Sequence, residues 1–416
     1  GGALTPIRPA PGRSSGAYSD SMKTRKRVLL LALGLPAALV LLEALAGWAE
    51  RAFPPQLRPD PRAQAQAWAG SPWAAECLRE LAQSQATRWE PYAYWRRRPF
   101  AGQHVQIAAD GERRTVHPLE PPPGAPEIWC FGGSTLWGAG ARDQGTIPSQ
   151  LATLLPGYRL RNFGESGHVS MQSRVLFLTL LEREPPPRAV VFYEGVNDLL
   201  SAFQQAHAGL PLQEGFRALE FNSRPGALGR RWFDEQSGEW RPLDAAARWR
   251  WALAESATLG WLRRAGLLPR LESRLAPAAA LELGRAPAGD PGELLRSLIE
   301  QRARQLHWTR ALAQSQGAVL ISAFQPSLYQ KPPSGDEAEF AAAYPGQAEF
   351  FRAAVAAQRA DPRLVDQPDA PDLSGLFERH AEPLFFDFCH LNEEGNRRVA
   401  EALAQALIPR LGPPPR

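Results

Sequence analysis

From residue 126 onward, short apolar runs alternate with segments whose apolar residues recur every three or four positions. The short runs are typical of buried strands, and the amphipathic segments are typical of helices. Strands and helices that alternate at this period predict a parallel sheet with helices on both faces. We therefore expect an α/β fold, a three-layer α/β/α sandwich with a mostly parallel central sheet. The predicted strands are EIWCFGG, YRLRNFG, RAVVFYEG and AVLISAFQP, and the predicted helices are IPSQLATLLP, MQSRVLFLTLLERE, GELLRSLIEQRARQLHWTRALAQSQG and NEEGNRRVAEALAQALIPRL.

The composition is globular and argues against several classes of function. The 47 basic and 43 acidic residues nearly balance, for a net charge of +4, and the arginines are dispersed, so no nucleic-acid partner is expected. The three cysteines, Cys77, Cys130 and Cys389, have no metal-ligand spacing, so we expect no zinc and no other metal. The chain has no phosphate loop and no dinucleotide fingerprint, so we expect no cofactor.

The N-terminal part of the chain has the pattern of a membrane segment. Residues 1–22 are rich in Gly, Ser and Pro and predict a disordered leader, and residues 23–49 are a basic stretch, KTRKR, followed by an apolar run. As a helix, residues 28–48 would be about 31 Å long, enough to cross the hydrocarbon core of a bilayer. The basic flank predicts a single-pass anchor in a bacterial cytoplasmic membrane, with the bulk of the chain on the periplasmic side. Two alternatives stay open, a secreted protein whose signal peptide is cleaved near Ala46 and an ordinary buried helix.

Residues 50–124 are predicted to be an extended lead-in segment with little room for a core of its own. The stretch HVQIAADGERRTV predicts a hairpin around Asp110-Gly111. Four aromatic side chains of this segment either pack it onto the main domain, which we favour, or line a substrate groove. They are Trp89, Tyr92, Tyr94 and Trp95.

The main domain is expected at residues 125–412, with two insertions. Residues 201 to about 290 are rich in tryptophan, and residues 327 to about 383 mix Pro-rich loops with a short helical piece. Such insertions often overhang the carboxyl ends of the strands, where an open α/β sheet binds ligands. The Trp-rich insertion suits a substrate lid, a partner surface or a membrane-resting face, and simple packing is the default expectation.

Ser134 follows the first predicted strand, in the stretch FGGSTLWGAG. It does not fit the Gly-x-Ser-x-Gly elbow because residue 136 is Leu, and no lysine follows it as in a phosphate loop. A serine hydroxyl needs a histidine within hydrogen-bond reach to become a nucleophile, and that histidine needs an acceptor. Asp387 and His390 meet this requirement, because they lie three residues apart in FFDFCHLNEEG, just before the last predicted helix.

An acyl-transfer site also needs hydrogen-bond donors for the oxyanion that develops on the substrate. NFGESGH places Gly164 and Gly167 after the second predicted strand, where backbone N–H groups can face a ligand. YEGVNDLL places Asn197 after the third, where it offers a side-chain amide. Each motif alone is more often a turn or a helix cap, and it is their combination at successive strand ends that indicates a site.

With these four blocks in this order, the chain resembles the SGNH (GDSL-type) hydrolases over residues 126 to 412. The resemblance implies a flavodoxin-like sheet and a serine esterase or acyl-hydrolase activity. It makes Ser134 the nucleophile, His390 the base and Asp387 its orienting partner. It makes the N–H groups of Ser134 and Gly167, together with the Asn197 amide, the oxyanion hole. The usual Asp before the serine is Gly133 here, which puts any role of that Asp in doubt.

Three functions follow from this interpretation. The first is an esterase acting outside the cytoplasm on a small-molecule, carbohydrate or lipid ester, for example O-acyl groups of the cell envelope. The second is an O-acyltransferase that uses the same residues to modify an envelope polysaccharide. The third is a binding or scaffold protein on this fold, which would require Ser134 and His390 to lie apart.

Other residues near these motifs carry weaker expectations. His168 adjoins Gly167, where a structural role is favoured over contact with substrate, and His380 has no partner visible in the sequence. Cys130 and Cys389 flank the proposed nucleophile and base, so they can form a disulfide or, as the favoured alternative, pack as two thiols.

Overall fold

The computed structural model describes residues 38, 41–48, 65–215, 217, 231–234, 239–242 and 290–412. The chain divides into two compact units, one of residues 1–56 and 244–277 and the other of residues 57–243 and 278–416. The described part of the first unit is helical. Most of the predicted membrane segment and of the Trp-rich insertion lies outside the described residues. Within the described ranges, no helix is both long and apolar enough to span a bilayer.

The described elements of the second unit alternate strands and helices, as the sequence pattern predicts. The strands are β1 (Thr87–Glu90), β2 (Tyr94–Arg97), β3 (Phe100–Ala101), β4 (Gln106–Ile107), β5 (Glu127–Gly132), β6 (Arg159–Asn162), β7 (Ala189–Glu194), β8 (Arg231–Asp234), β9 (Glu239–Pro242) and β10 (Val319–Phe324). The helices are α1 (Ala74–Gln83), α2 (Ser134–Trp137), α3 (Ile147–Leu154), α4 (Ser170–Leu181), α5 (Val196–Gln205), α6 (Pro291–Ser315), α7 (Asp336–Ala343), α8 (Pro345–Ala360) and α9 (Glu393–Leu411).

Four parallel strands form the central sheet in the order β6-β5-β7-β10. In register, Cys130 of β5 lies opposite Asn162 of β6 on one side and Val191 of β7 on the other. Beyond β10, residues 369–373 run alongside the edge strand, where Ser322 N–H donates to Asp369 O and Phe324 N–H donates to Pro371 O. The predicted parallel sheet is confirmed.

Alternate side chains of β5 enter two different cores, and this defines the layers. Ile128 and Cys130 pack with apolar residues of α3 and α9, while Trp129 and Phe131 pack with residues of α4 and α6. Because successive side chains of a strand point to opposite faces, the sheet has helices on both sides. The predicted α/β/α sandwich is thus confirmed.

The second predicted insertion is more helical than expected. Instead of one short piece, it holds α7 and the 16-residue α8, whose Phe350 and Phe351 pack with Phe203 of α5 and Leu298 of α6. The prolines of this region predict loops. Pro345, however, lies in the first turn of α8, where proline is tolerated and does not interrupt the helix.

The lead-in segment shares its core with the main domain. Residues of α1 and of β4 pack with Trp137 of α2 and with Phe386. Its predicted hairpin turns at Gly111, whose φ is +90°, and Ala108 N–H donates to Glu112 O across the turn. Arg113 then forms an antiparallel bridge with Asn162, so the hairpin lies against the edge strand β6.

Candidate active site

Ser134, Gly167 and Asn197 all follow the carboxyl ends of parallel strands. Ser134 begins α2 directly after β5, Gly167 lies in the loop between β6 and α4, and Asn197 lies in the first turn of α5 after β7. The chain leaves β5 towards β6 on one side and returns to β7 on the other. In open α/β sheets, ligands bind at the carboxyl ends of the strands where the strand order reverses in this way.

Ser134, His390 and Asp387 form one continuous chain of hydrogen bonds. His390 Nε2 lies 2.7 Å from Ser134 Oγ, and His390 Nδ1 lies 2.7 Å from Asp387 Oδ2. Because a carboxylate can only accept, Nδ1–H donates to Asp387. Nε2 of the neutral ring is then an acceptor for the Ser134 hydroxyl, which is the arrangement a general base requires.

Asp387 is held in place and kept ionised. Its Oδ1 accepts from the backbone N–H of Cys389 at 3.0 Å and of His390 at 2.9 Å. Burial alone would raise the pKa of this carboxyl, but the charge and hydrogen bond of His390 and the two backbone donors hold the pKa well below its ordinary value. Asp387 can therefore stabilise a charged imidazole next to it.

Two aromatic residues that the sequence reasoning missed support the imidazole. The Phe386 ring stacks on His390, with centroids 5.6 Å apart and planes 10° apart, and Trp68 packs on Phe386 at 4.9 Å. Phe386 adjoins Asp387 in sequence and could have been noticed. Trp68 carries no local signal, since it comes from the lead-in segment.

Asn197 lies beside the nucleophile. A Cβ built on Gly133 would lie only 2.4 Å from Asn197 Nδ2, so the amide directly adjoins the residue before Ser134. One amide N–H donates to the backbone carbonyl of His168 at 2.8 Å, which leaves the second N–H for a ligand. Among the described residues, no hydrogen bond engages the backbone N–H of Ser134 or of Gly167.

The two glycines of the second block have different roles. Gly164 N–H donates to the Asn162 side chain at 3.0 Å, so it is engaged within the protein. A Cβ on Gly164 would lie 2.6 Å from the Trp137 backbone nitrogen, which explains the need for glycine there. Gly167 has a φ of +77°. Of the two, the structure leaves Gly167 as the candidate oxyanion donor.

Asp198, next to Asn197, is a further residue that the sequence reasoning left unassigned. Its carboxylate accepts from the backbone N–H of Ser170 at 3.1 Å and from the Ser170 hydroxyl at 2.8 Å. This ties the first turn of α5 to the first turn of α4.

The rings of His168 and His380 both pack against aromatic side chains of the protein. His168 is buried, and burial lowers the pKa of its imidazole to about 3, so the ring is neutral at working pH. Its backbone carbonyl, and not its ring, contacts Asn197. The His380 ring packs on Phe377 at 5.7 Å.

The three cysteines are free and buried, so no disulfide joins Cys130 and Cys389. Cys130 packs in the core with α3 and α9, and Cys389 packs in the core with α5 and α8. Among the described residues, one group of metal-ligand atoms converges, with those of Asp387, Cys389 and His390 within 4.8 Å of one another. Two of these residues are the hydrogen-bonded pair described above. The hydrogen bond between Asp387 and His390 accounts for the short distances within this group.

The four lead-in aromatics divide into two pairs. Trp89 and Tyr92 are 66% and 79% exposed. Tyr94 donates its hydroxyl to Glu214 at 3.0 Å, and Trp95 Nε1 donates to Ser166 O at 2.9 Å. Packing onto the main domain thus holds for Tyr94 and Trp95.

Comparison with known proteins gives structural similarity at low identity. No protein-family model matches the chain, and no curated protein matches its sequence. A solved acetyl xylan esterase is similar at 14% identity over 68% of this chain and 99% of its own, with a TM-score of 0.30. A member of the lipolytic G-D-S-L family from Veillonella parvula is similar at 12% identity over 68% and 98%, with a TM-score of 0.30. A GDSL-like lipase from Bacteroides thetaiotaomicron is similar at 11% identity over 70% and 92%, also with a TM-score of 0.30. Function is therefore inferred from the contacts of the site itself.

Proposed function

We propose that this protein is a serine ester hydrolase of the SGNH type. The observation that carries the proposal is the continuous hydrogen-bond chain from Ser134 Oγ through His390 to Asp387, with 2.7 Å at each step. The Asn197 amide adjoins it, where an oxyanion hole is needed. This geometry also counts against a non-catalytic scaffold, because that alternative requires Ser134 and His390 to lie apart.

The reaction follows from these positions. His390 Nε2 takes the hydroxyl proton as Ser134 Oγ attacks the ester carbonyl carbon, and the carbonyl oxygen becomes an anion held by the Asn197 amide and the backbone N–H groups of Ser134 and Gly167. The ester C–O bond then breaks, His390 returns the proton to the departing alcohol, and the acyl group stays on Ser134. Water attacks this acyl-enzyme with His390 as base, which frees the acid and restores Ser134.

A fluorophosphonate probe tests the proposal on the full chain. We expect rapid labelling of the wild type and loss of labelling in Ser134→Ala and His390→Ala, with ester turnover reduced on the order of 10⁵–10⁶-fold in either variant. Ser315→Ala, at the exposed end of α6, serves as the matched control and should label like the wild type. Labelling that persists in Ser134→Ala, or a folded wild type that does not label, would contradict the assignment.

The location and the substrate class belong to the same proposal. The basic stretch at residues 23–27 and the apolar run after it support a cytoplasmic-membrane anchor with the site on the periplasmic side. There, esters on envelope carbohydrates or lipids are the available substrates. Envelope polysaccharide incubated with the protein should release free acid. If the acyl group instead appears on an added sugar hydroxyl, the protein is an acyltransferase that resolves the same acyl-enzyme with an alcohol.

A further inference from the structure

The hairpin of β1 and β2 contacts the loop that carries Gly167 through several hydrogen bonds. This loop, residues 163–168, is called the Gly167 loop below. Arg97 N–H donates to Glu165 Oε2 at 2.8 Å, and Arg97 Nη2 donates to Ser166 Oγ at 2.5 Å. Trp95 Nε1 donates to Ser166 O at 2.9 Å, and Arg96 Nη1 donates to Phe163 O at 3.1 Å. The loop is thus bonded to the hairpin along most of its length.

The charges at this contact are buried, and two arginines share one carboxylate. Glu165 has no exposed side-chain surface, and the side chains of Arg96 and Arg97 are 2% exposed. Arg97 Nε lies 3.3 Å from Glu165 Oε1, and Arg96 Nη1 lies 3.8 Å from Glu165 Oε2. A buried charge that loses its partner is costly, so the cluster resists displacement of the Gly167 loop.

His168 extends the connection from the hairpin to Asn197. Its ring lies 3.1 Å from the backbone carbonyl of Trp95 through Nε2 and packs edge-on against the Trp95 indole, with centroids 5.4 Å apart. Because a carbonyl only accepts, the neutral ring carries its proton on Nε2. The backbone carbonyl of the same residue accepts the Asn197 amide at 2.8 Å. This hydrogen bond also orients the Asn197 side chain, so that Nδ2 and not Oδ1 lies beside Gly133, the residue before the nucleophile.

We infer that the β1–β2 hairpin sets the geometry of the oxyanion hole, with Trp95 and His168 as positioning residues for Gly167 and Asn197. The inference rests on the proposed function, because it assigns these two residues to the oxyanion hole of that reaction. Neither Trp95 nor His168 reacts. They hold the donors where the charge develops, and a displaced donor loses transition-state stabilisation without loss of substrate affinity.

The test compares substitutions that remove a single hydrogen bond of this connection. His168→Leu removes the donor to Trp95 O, His168→Gln retains one, and Trp95→Phe keeps an aromatic ring while removing the donor to Ser166 O. We expect kcat for p-nitrophenyl acetate to fall about 10–100-fold in His168→Leu and about 3–10-fold in Trp95→Phe, with KM within about twofold of the wild type. His168→Gln should recover most of the loss. Trp89→Phe, at the exposed cross-strand neighbour of Trp95, is the matched control and should not change kcat.

A double-mutant cycle separates positioning from general support of the fold. If His168 acts through Asn197, His168→Leu should have almost no further effect in the Asn197→Ala background, so the two losses are not additive. Additive losses in variants that melt at the wild-type temperature would overturn the inference, as would a loss expressed in KM. The Trp95→Phe result decides the matter if His168→Leu does not fold. A wild type that neither labels nor turns over esters would count against the proposed function instead, before any variant is made.

Discussion

Gly133 shows how one missing side chain shapes the site. It stands where the SGNH hydrolases, which this sequence resembles, carry an Asp before the nucleophile. The structure shows why this chain has no side chain at residue 133. The Asn197 amide lies where a side chain would begin, with Nδ2 at 2.4 Å and Cγ at 3.3 Å from a Cβ built on Gly133. A contact under 3 Å cannot be kept, so a side chain at this position and the present place of Asn197 exclude each other.

Gly133→Ala should therefore impair catalysis more than stability. We expect ester turnover to fall about 100-fold, because the added methyl group displaces an oxyanion donor from its position. Gly157→Ala is the matched control, since a Cβ there meets nothing within 4 Å. Steady-state kinetics and thermal melts of both variants provide the measurement. Unchanged turnover in Gly133→Ala would mean that Asn197 can move aside without cost.

At the scale of elements, helix α7 holds the loop that leads to Asp387. Glu337 of α7 forms an ion pair with Lys331, and neither side chain has any exposed surface. The other carboxylate oxygen of Glu337 accepts from the backbone N–H of Leu384 at 3.0 Å and of Phe385 at 2.9 Å. The buried carboxylate of Glu337 thus joins α7 to the backbone of Leu384 and Phe385, just before Asp387.

Glu337→Gln should destabilise the fold, because it leaves the Lys331 ammonium buried without an opposite charge. Breaking a buried pair by removing one partner costs about 3–5 kcal/mol in the free energy of unfolding. Glu339→Gln changes the same residue type on an exposed position of the same helix and should stay within about 0.5 kcal/mol of the wild type. Urea unfolding of the two variants measures the difference. Equal midpoints would show that the Lys331 charge finds another partner.

At the scale of the whole molecule, the lead-in segment is part of the main domain. The buried Arg113 guanidinium donates to the carbonyls of Trp137 at 3.1 Å, Gly138 at 2.7 Å and Ala141 at 2.7 Å, and its Nε donates to Asp143 at 3.1 Å. These carbonyls belong to the end of α2 and the turn after it, so Arg113 holds the short helix that begins at Ser134. The lead-in segment also contacts Phe386 through Trp68 and the Gly167 loop through the β1–β2 hairpin. It therefore supports the surroundings of Ser134, His390 and Gly167.

Arg113→Lys should lower both stability and activity, because the ammonium group of lysine cannot reproduce the hydrogen bonds of a planar guanidinium to these four acceptors. We expect a loss of about 2–4 kcal/mol in the free energy of unfolding, from buried carbonyls left without donors. Arg114→Lys, at the exposed neighbouring residue, should have no effect on either quantity. Denaturant unfolding and ester turnover of both variants test this. If the two variants behave alike, Arg113 is not needed to hold α2.

Much of the architecture is determined by local sequence. Strand and helix periodicity predicts the parallel sheet and the side of it on which Ser134, Gly167 and Asn197 lie, because alternation and amphipathicity are properties of a few neighbouring residues. Asp387 and His390 are three residues apart, so their mutual hydrogen bond is also a local matter.

Only the tertiary structure brings these separate motifs together into one site. Ser134 and His390 are 256 residues apart in the chain, and their contact depends on how β5 and the approach to α9 pack. The choice of Gly167 over Gly164, the carbonyl of His168 that orients Asn197, and the contacts of Arg113 all join segments distant in sequence. Such contacts depend on shape and burial in the assembled core, and no local pattern of residues encodes them.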